Sequence, residues 1–218
     1  DRAARYVEYL LRDIRRSATL HGGAKGRVKH IHFGGGTPTY LDDLHIGEIL
    51  EAINTGFGIA DGAEVALESD PRTLTRERAK VLASQGFNRI SFGVQDFALP
   101  VQMRLNRLQT FGLVAAATEF LRAAGFASVN FDLMYGLPAQ TVESVAQTAR
   151  QTAELAPDRV AVFGYAHVPW FKKHQKMMDE ESLPGVTERY RQATTIEAEL
   201  VAAGYAAIGL DHFALPHD

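Results

Sequence analysis

Apolar and polar residues recur along this chain with two different periods, and each period predicts a different kind of element. From Arg2 to Leu20, apolar side chains return every three or four residues, as at Tyr6, Leu10 and Ile14, which indicates one face of an amphipathic helix. Residues 28–33 alternate instead, with β-branched and aromatic side chains, and a period of two predicts a strand. This strand stops abruptly at three consecutive glycines.

The same strand-to-helix unit repeats along the chain. Further strands are predicted at residues 64–68, 88–94, 128–133, 159–165 and 205–210. Helices of about a dozen residues are predicted between them, at residues 42–55, 75–85, 111–124, 142–155 and 186–203. Strands that alternate with helices are typical of parallel βαβ units, and near-continuously apolar strands suit a sheet closed into a barrel. No Gly-x-Gly-x-x-Gly fingerprint follows any strand, so we predict a (β/α) barrel over residues 1–218, with a preceding unit missing.

Composition narrows the class of protein. The net charge of the 218 residues is −3 and no basic stripe is present, so nucleic acid is not an expected partner. No apolar run approaches the roughly 18 residues of a membrane-spanning helix, and no signal peptide opens the chain, so we expect a globular protein of the cytoplasm. The chain has no cysteine, which excludes disulfides, thiolate-bound metal and a cysteine nucleophile within these residues. Because it starts at Asp1, we expect a fragment of a longer protein.

The glycines after the first strand are the first candidate site. Gly34, Gly35 and Gly36 present bare backbone at a strand end, where close approach of another molecule is the usual reason for missing side chains. Thr37 adds a hydroxyl, and Pro38 fixes the exit towards the next helix. The stretch therefore indicates a binding edge for a small polar compound. The alternative is a glycine-rich turn that binds nothing.

Polar residues also collect at the carboxyl ends of the other predicted strands, where (β/α) barrels carry their chemistry. They are Glu68 and Asp70, Gln95 and Asp96, Asp132 and Tyr135, Tyr165 and His167, and Asp211 and His212. Taken alone, each acid could equally be a buried, hydrogen-bonded structural group. Because every strand delivers polar groups to the same end, we predict that they form one site.

Basic side chains follow two of these strands. Arg104 and Arg107 could be solvated, but a guanidinium at the mouth of a barrel also suits carboxylate recognition. The segment 172–176, which begins with Lys172, could be a solvated loop or could attract an anionic substrate. His30 and His32 alternate on the first strand and suggest a metal, but no third ligand is evident, so interior positions are the preferred interpretation.

Taken together, the motifs resemble one known family. GGGTP, LESDP, FGVQDF, NRLQ, DLMYGLP, YAHVPW and GLDHFALP occur in the order found in the oxygen-independent coproporphyrinogen III oxidases, which are radical S-adenosylmethionine (SAM) enzymes of haem biosynthesis. GGGTP and YGLP alone would indicate only the wider radical SAM group. YAHVPW and DHFA are the stretches that point to the oxidase.

The resemblance implies a partial, TIM-like (β/α)₆ barrel with two SAM molecules and a [4Fe–4S] cluster. Reductive cleavage of SAM would give a radical that takes hydrogen from a propionate of coproporphyrinogen III. Loss of CO₂ and an electron would leave a vinyl group, and two rounds would give protoporphyrinogen IX. The expected partners are this substrate and an unidentified electron donor, and the expected oligomeric state is a monomer.

The resemblance also assigns residues. Those expected to bind SAM are Gly35, Gly36, Thr37, Glu68, Gln95, Arg107, Asp132 and Ala166. Candidates for the substrate carboxylates are Arg104, His167 and Lys172. No residue is assigned as an acid–base catalyst, since these groups would act by positioning the reactants.

The chain departs from the family pattern in one important respect. The Cys-x-x-x-Cys-x-x-Cys loop that holds the cluster is absent and is expected upstream of Asp1, and the C-terminal helical region is expected beyond Asp218. Without the thiolates no cluster can form, so the fragment itself is expected to be inactive. Two alternatives stay open: a haem-binding chaperone of the same family without oxidase activity, and a cluster-free (β/α) enzyme that uses the glycines for a phosphate.

Overall fold

A computed structural model describes residues 2–22, 28–178 and 180–218. Within those ranges the helices are α1 (Arg2–Leu20), α2 (Asp43–Phe57), α3 (Arg76–Ser84), α4 (Leu99–Arg104), α5 (Phe111–Ala124), α6 (Val142–Leu155) and α7 (Val186–Ala202). The strands are β1 (Val28–Phe33), β2 (Ile59–Ser69), β3 (Arg89–Gln95), β4 (Ser128–Tyr135), β5 (Arg159–Gly164), β6 (Ala206–Gly209) and β7 (His212–Ala214). β1 pairs in parallel with β2, and β4 with β5, so the predicted α/β class is confirmed.

Local signals located most elements correctly. α1, α5 and α6 begin and end at the predicted residues. α6, for example, starts at a capping box, in which the Thr141 hydroxyl accepts from the Ser144 amide (3.1 Å) and the Ser144 hydroxyl accepts from the Thr141 amide (2.9 Å). α4 is a difference, because no helix was predicted between the strand that ends at residue 94 and the helix that begins at residue 111. Pro100 favours helical backbone in its first turn, and Val101 is fully buried.

The chain divides into two compact units, which are described separately. The first contains residues up to Asp70 with residues 74–90 and 120–127, and the second contains residues 71–73, 91–119 and 128–218. In the first unit, Ile46 of α2 and Leu67 of β2 are fully buried. In the second, the rings of Phe92 and Phe131 lie 6.2 Å apart at the centre of the core. No helix among the described residues is both long and apolar enough to cross a membrane.

β6 forms where the sixth strand was predicted and runs in the same direction as β5, but it pairs with β7 and not directly with β5. The strand order is β1-β2-β3-β4-β5-β7-β6, and β7 runs antiparallel to both β5 and β6. β6 and β7 form a hairpin whose turn residues, Leu210 and Asp211, have φ angles of 45° and 63°. Turns of this left-handed kind match the twist of paired strands. Asp211 therefore lies in the turn of an antiparallel hairpin, where its carbonyl accepts from the Val162 amide (2.8 Å).

The contact between α1 and α2 depends on a glycine. A Cβ added at Gly56 would lie 2.7 Å from the Cβ of Ala18, which is buried on α1. We expect Gly56→Val to lower the free energy of unfolding by about 1–3 kcal/mol through overpacking. Urea unfolding of the purified protein measures this, with Gly112→Ala in α5 as the control, because no atom lies within 4 Å of the Cβ it adds. Equal stability of Gly56→Val and the wild type would contradict the close approach.

Candidate functional site

The glycine segment of the first unit links β1 to α2. Gly35 has a φ angle of 82°, in the left-handed region that glycine adopts without strain. A short 3₁₀ turn, Pro38–Tyr40, follows, and Thr37 makes no side-chain capping bond to it. The exposed Thr37 hydroxyl and the bare backbone of the glycines are therefore available to a ligand.

A cavity of about 570 Å³ opens beside this segment. Its polar lining includes the three glycines and Thr37. Its apolar lining comes from α1, β1 and α2 and the segment that joins them, as Tyr6, Leu10, Ile14, Ile31, Phe33, Leu41, Ile49 and Ile53. The volume is typical of small-molecule sites, and the lining suits a compound with one polar end and one apolar part.

Glu68 lies against the same glycine segment. A Cβ added at Gly34 would lie 2.7 Å from Glu68 Oε1 and 2.8 Å from His32 Nε2. The two side chains approach each other at 3.4 Å between His32 Nε2 and Glu68 Oε1. The missing side chain at position 34 thus makes room for this pair. Gly35, Gly36, Thr37 and Glu68, predicted separately, are brought together within the first unit.

The sequence favours interior positions for the two histidines of β1, but the structure places both side chains on the surface. The side chains of His30 and His32 are 80 % and 56 % exposed, and they face Glu64 and Glu68 on the neighbouring strand. Among the described residues, no group of three or more histidine, aspartate or glutamate side chains could hold a metal ion. The structure therefore places His32 beside Glu68 as a partner of that carboxylate.

In the second unit, Gln95 and Arg107 lie over one glycine. A Cβ at Gly93 would be 2.8 Å from Gln95 Nε2 and 3.4 Å from Arg107 Nη2, and Arg107 Nη2 donates to the Gly93 carbonyl (2.9 Å). Gln95 has a φ angle of 67°, a left-handed conformation that costs a non-glycine residue of order 1–3 kcal/mol and is concentrated at functional sites. Arg104, by contrast, is exposed on α4.

Asp132 lies on the face of β4 that meets this group. Asn130 Nδ2 donates to Asp132 Oδ1 (2.9 Å) and to Ser91 Oγ on β3 (3.2 Å). Residues two apart on a strand point to the same face, so Ser91, Gly93 and Gln95 share one face of β3. The predicted residues Gln95, Arg107 and Asp132 are therefore arranged on one side of the second unit.

The segment after β5 is held by its own hydrogen bonds. The Ala166 carbonyl accepts from the buried Gln175 side chain (3.0 Å). His167 uses both ring nitrogens within the protein, Nδ1 with the Tyr165 hydroxyl and Nε2 with Glu180 Oε1, each at 3.1 Å. His167 therefore has no ring nitrogen left for a substrate carboxylate in this arrangement. Lys172 is exposed, with its ammonium 5.3 Å from the centre of the Phe171 ring.

Asp96 takes the buried, hydrogen-bonded role that the sequence left open for each strand-end acid, whereas sequence reasoning missed Arg189. Asp96 is 1 % exposed, and burial raises the pKa of its carboxyl group although Gln140, Ala98 and Thr148 all donate to it. Arg189, on α7, reaches the ends of β4 and β5. Nothing near position 189 in the sequence could have indicated this, because the residues it contacts lie elsewhere in the chain.

Comparison with known proteins identifies the class. The profile of the radical SAM superfamily matches residues 2–152, and the chain therefore belongs to that superfamily. Its relatives include the oxygen-independent coproporphyrinogen III oxidase of Bradyrhizobium diazoefficiens, which is 50 % identical over 90 % of this chain and 44 % of the relative. The enzyme of that name from Helicobacter pylori is 40 % identical over 98 % of this chain and 47 % of the relative. The sequence resemblance is thereby confirmed.

The fold of this chain matches that of a solved structure from the same superfamily. The coproporphyrinogen III oxidase HemN of Escherichia coli, described as a radical SAM enzyme, superposes with a TM-score of 0.93 and 40 % identity over 100 % of this chain and 50 % of that chain. The predicted radical SAM fold is confirmed. The chain spans about half the length of the curated relatives it matches.

Membership of the superfamily implies SAM and a [4Fe–4S] cluster as cofactors. The residues present fit SAM, because bare backbone, the Thr37 hydroxyl and a half-exposed Glu68 carboxylate can meet an aminocarboxylate and ribose hydroxyls beside an apolar wall. They do not fit the cluster, because the 218 residues contain no cysteine. The residues of this chain therefore suit SAM and not the cluster.

Proposed function

We propose that this chain is the SAM- and substrate-binding part of an oxygen-independent coproporphyrinogen III oxidase of haem biosynthesis. The observation that carries the proposal is the agreement with the Escherichia coli enzyme over the whole chain, at 40 % identity and a TM-score of 0.93. YAHVPW and DHFA, the stretches most typical of the oxidases, are present.

The proposed reaction converts two propionates of coproporphyrinogen III into vinyl groups, each with loss of CO₂, a hydrogen atom and an electron. SAM, when bound and reduced, supplies the group that removes the hydrogen atom. Glu68 and the glycine segment would hold one SAM molecule, and Gln95, Arg107, Asp132 and the Ala166 backbone a second. Their contribution is to fix distance and orientation, which can account for a large share of a rate enhancement.

Further features of the whole protein are part of the proposal. We infer that cluster cysteines are supplied by residues outside this chain and that residues 1–218 alone are inactive. We also infer that the protein acts as a cytoplasmic monomer and receives electrons from a separate donor. The absence of cysteine supports the first two inferences. The match to the radical SAM superfamily disfavours the phosphate-binding alternative.

The test uses the protein expressed from the complete reading frame, under anaerobic conditions, with coproporphyrinogen III, SAM and a reductant. We expect one and then two vinyl groups, followed by chromatography and mass spectrometry, and no conversion by residues 1–218 alone. Stable capture of haem without vinyl formation would instead support the chaperone alternative and contradict the proposal.

A further inference from the structure

Arg189 occupies a defined position at the carboxyl ends of β4 and β5. It extends from the first turn of α7, and its Nη2 donates to the Tyr165 carbonyl (2.7 Å). Its guanidinium carbon lies 5.8 Å from the centre of the Tyr135 ring. One side chain thus contacts the residues that end two neighbouring strands.

Two glycines make room for this guanidinium. A Cβ added at Gly136 would lie 2.8 Å from Arg189 Cζ and Nη1, and one added at Gly164 would lie 2.9 Å from the Tyr135 hydroxyl and 3.3 Å from Arg189 Nη2. The backbone is fixed as well, because the Gly136 amide donates to the buried Gln192 side chain on the same helix (2.9 Å). The position of the guanidinium is therefore set by strand, loop and helix together.

The charge of Arg189 is not neutralised within the described residues. Arg89, Arg150 and Arg159 pair with carboxylates at 2.6–2.9 Å, whereas Arg189 makes no ion pair there. Its single hydrogen bond goes to a carbonyl, and its Nε and Nη1 have no partner among those residues. A guanidinium carries five N–H donors in a planar fork that matches the two oxygens of a carboxylate. A half-buried cation without a counter-ion indicates an anionic ligand.

We propose that Arg189 binds a carboxylate, and that this carboxylate is a propionate of the substrate. The assignment rests on the proposed function, in which two carboxylate sources exist: the substrate and the methionyl end of SAM. In the proposed function the glycine segment meets the aminocarboxylate of one SAM molecule, and by family resemblance Arg107 meets that of the second, which leaves Arg189 for the propionate. His167, an earlier candidate, has both nitrogens engaged, and Arg104 is exposed on α4.

The test measures binding rather than turnover. The complete protein is titrated with coproporphyrin III, the oxidised fluorescent form of the substrate, and with its tetramethyl ester, which lacks the carboxylates. We expect Arg189→Met to weaken coproporphyrin III binding at least tenfold, as for loss of a charge-assisted hydrogen bond, and to leave ester binding unchanged. Arg189→Lys retains the charge and should recover part of the affinity. Arg191→Met, an exposed neighbour on the same helix, should bind as the wild type does.

Other outcomes separate the possibilities. Unchanged coproporphyrin III affinity in Arg189→Met overturns the proposal, and weaker SAM affinity by calorimetry with unchanged porphyrin affinity assigns the carboxylate to SAM instead. If Arg189→Met does not fold, Gly164→Ala keeps the charge and crowds both the Tyr135 hydroxyl (2.9 Å) and Arg189 Nη2 (3.3 Å), so it should shift the guanidinium together with the ring beneath it and weaken the same binding. Failure of the proposed function has a different readout, because the wild-type protein would then form no vinyl groups. This result does not depend on how Arg189→Met changes the affinity for coproporphyrin III.

Discussion

Replacing Glu68 with alanine is expected to weaken SAM binding by about 100-fold. By resemblance this carboxylate accepts hydrogen bonds from the amino group or ribose of SAM, and a hydrogen bond to a charged group contributes about 1.5–3 kcal/mol, or roughly 10–150-fold in affinity. Glu68 is placed for this role beside the glycine segment, with Oε1 3.4 Å from His32 Nε2 and a half-exposed side chain. Calorimetric titration of the complete protein with SAM measures the effect.

A matched control lies on the same strand. Glu64 points to the same face of β2 four residues earlier, but it pairs with Arg89 Nε at 2.8 Å and lies farther from the glycines. We expect Glu64→Gln to bind SAM as the wild type does. Gly34→Ala should weaken binding with Glu68 still present, because the new Cβ would lie 2.7 Å from Glu68 Oε1 and displace it. Full affinity in Glu68→Ala would remove this carboxylate from the site.

The parts of the fold that were predictable are those with local causes. α5 and α6 follow from apolar spacing and end signals carried by neighbouring residues. The hairpin of β6 and β7 was missed because its strands are short and its turn depends on left-handed backbone at Leu210 and Asp211, which do not include a glycine. α4 was missed because a six-residue helix shows little periodicity, and buried packing of Val101 stabilises it.

The candidate site divides in the same way. The positions of Glu68, Gln95 and Asp132 towards the carboxyl ends of strands could be predicted, because polar residues at the ends of apolar strands are a sequence signal, and their role as ligand-binding residues stays a prediction. The arrangement of Arg189 could not, because it depends on Gly136 and Gly164, which lie far from position 189 in the sequence. The burial of Asp96 could not be read from sequence either, since an acid after a strand is as often exposed.

Removing the Asp96 carboxylate is expected to cost about 3 kcal/mol or more of unfolding free energy. Gln140 Nε2 donates to Oδ2 (2.5 Å), and the Ala98 amide (2.6 Å) and Thr148 hydroxyl (3.1 Å) donate to Oδ1. Asp96→Ala leaves these donors buried without an acceptor, at about 1–3 kcal/mol each. Gln140 also donates to the Met134 carbonyl (2.8 Å), so the loss should spread to the segment after β4.

The pH dependence of stability gives a sharper test of the same carboxyl group. Because burial raises the pKa of Asp96 above its ordinary value, the folded state holds this proton more tightly than the unfolded chain does. Its stabilising contribution is therefore complete below the unfolded pKa of about 3.9 and is lost as pH rises through the folded pKa. The amide introduced by Asp96→Asn cannot ionise, so the free energy of unfolding of this variant should not fall in this way as pH rises. The difference in stability between the wild type and the variant should therefore shrink as pH increases. Urea unfolding from acid to neutral pH measures the difference, with Asp211→Asn in the exposed hairpin turn as the control. Parallel curves of unfolding free energy against pH for the wild type and Asp96→Asn would contradict a raised pKa.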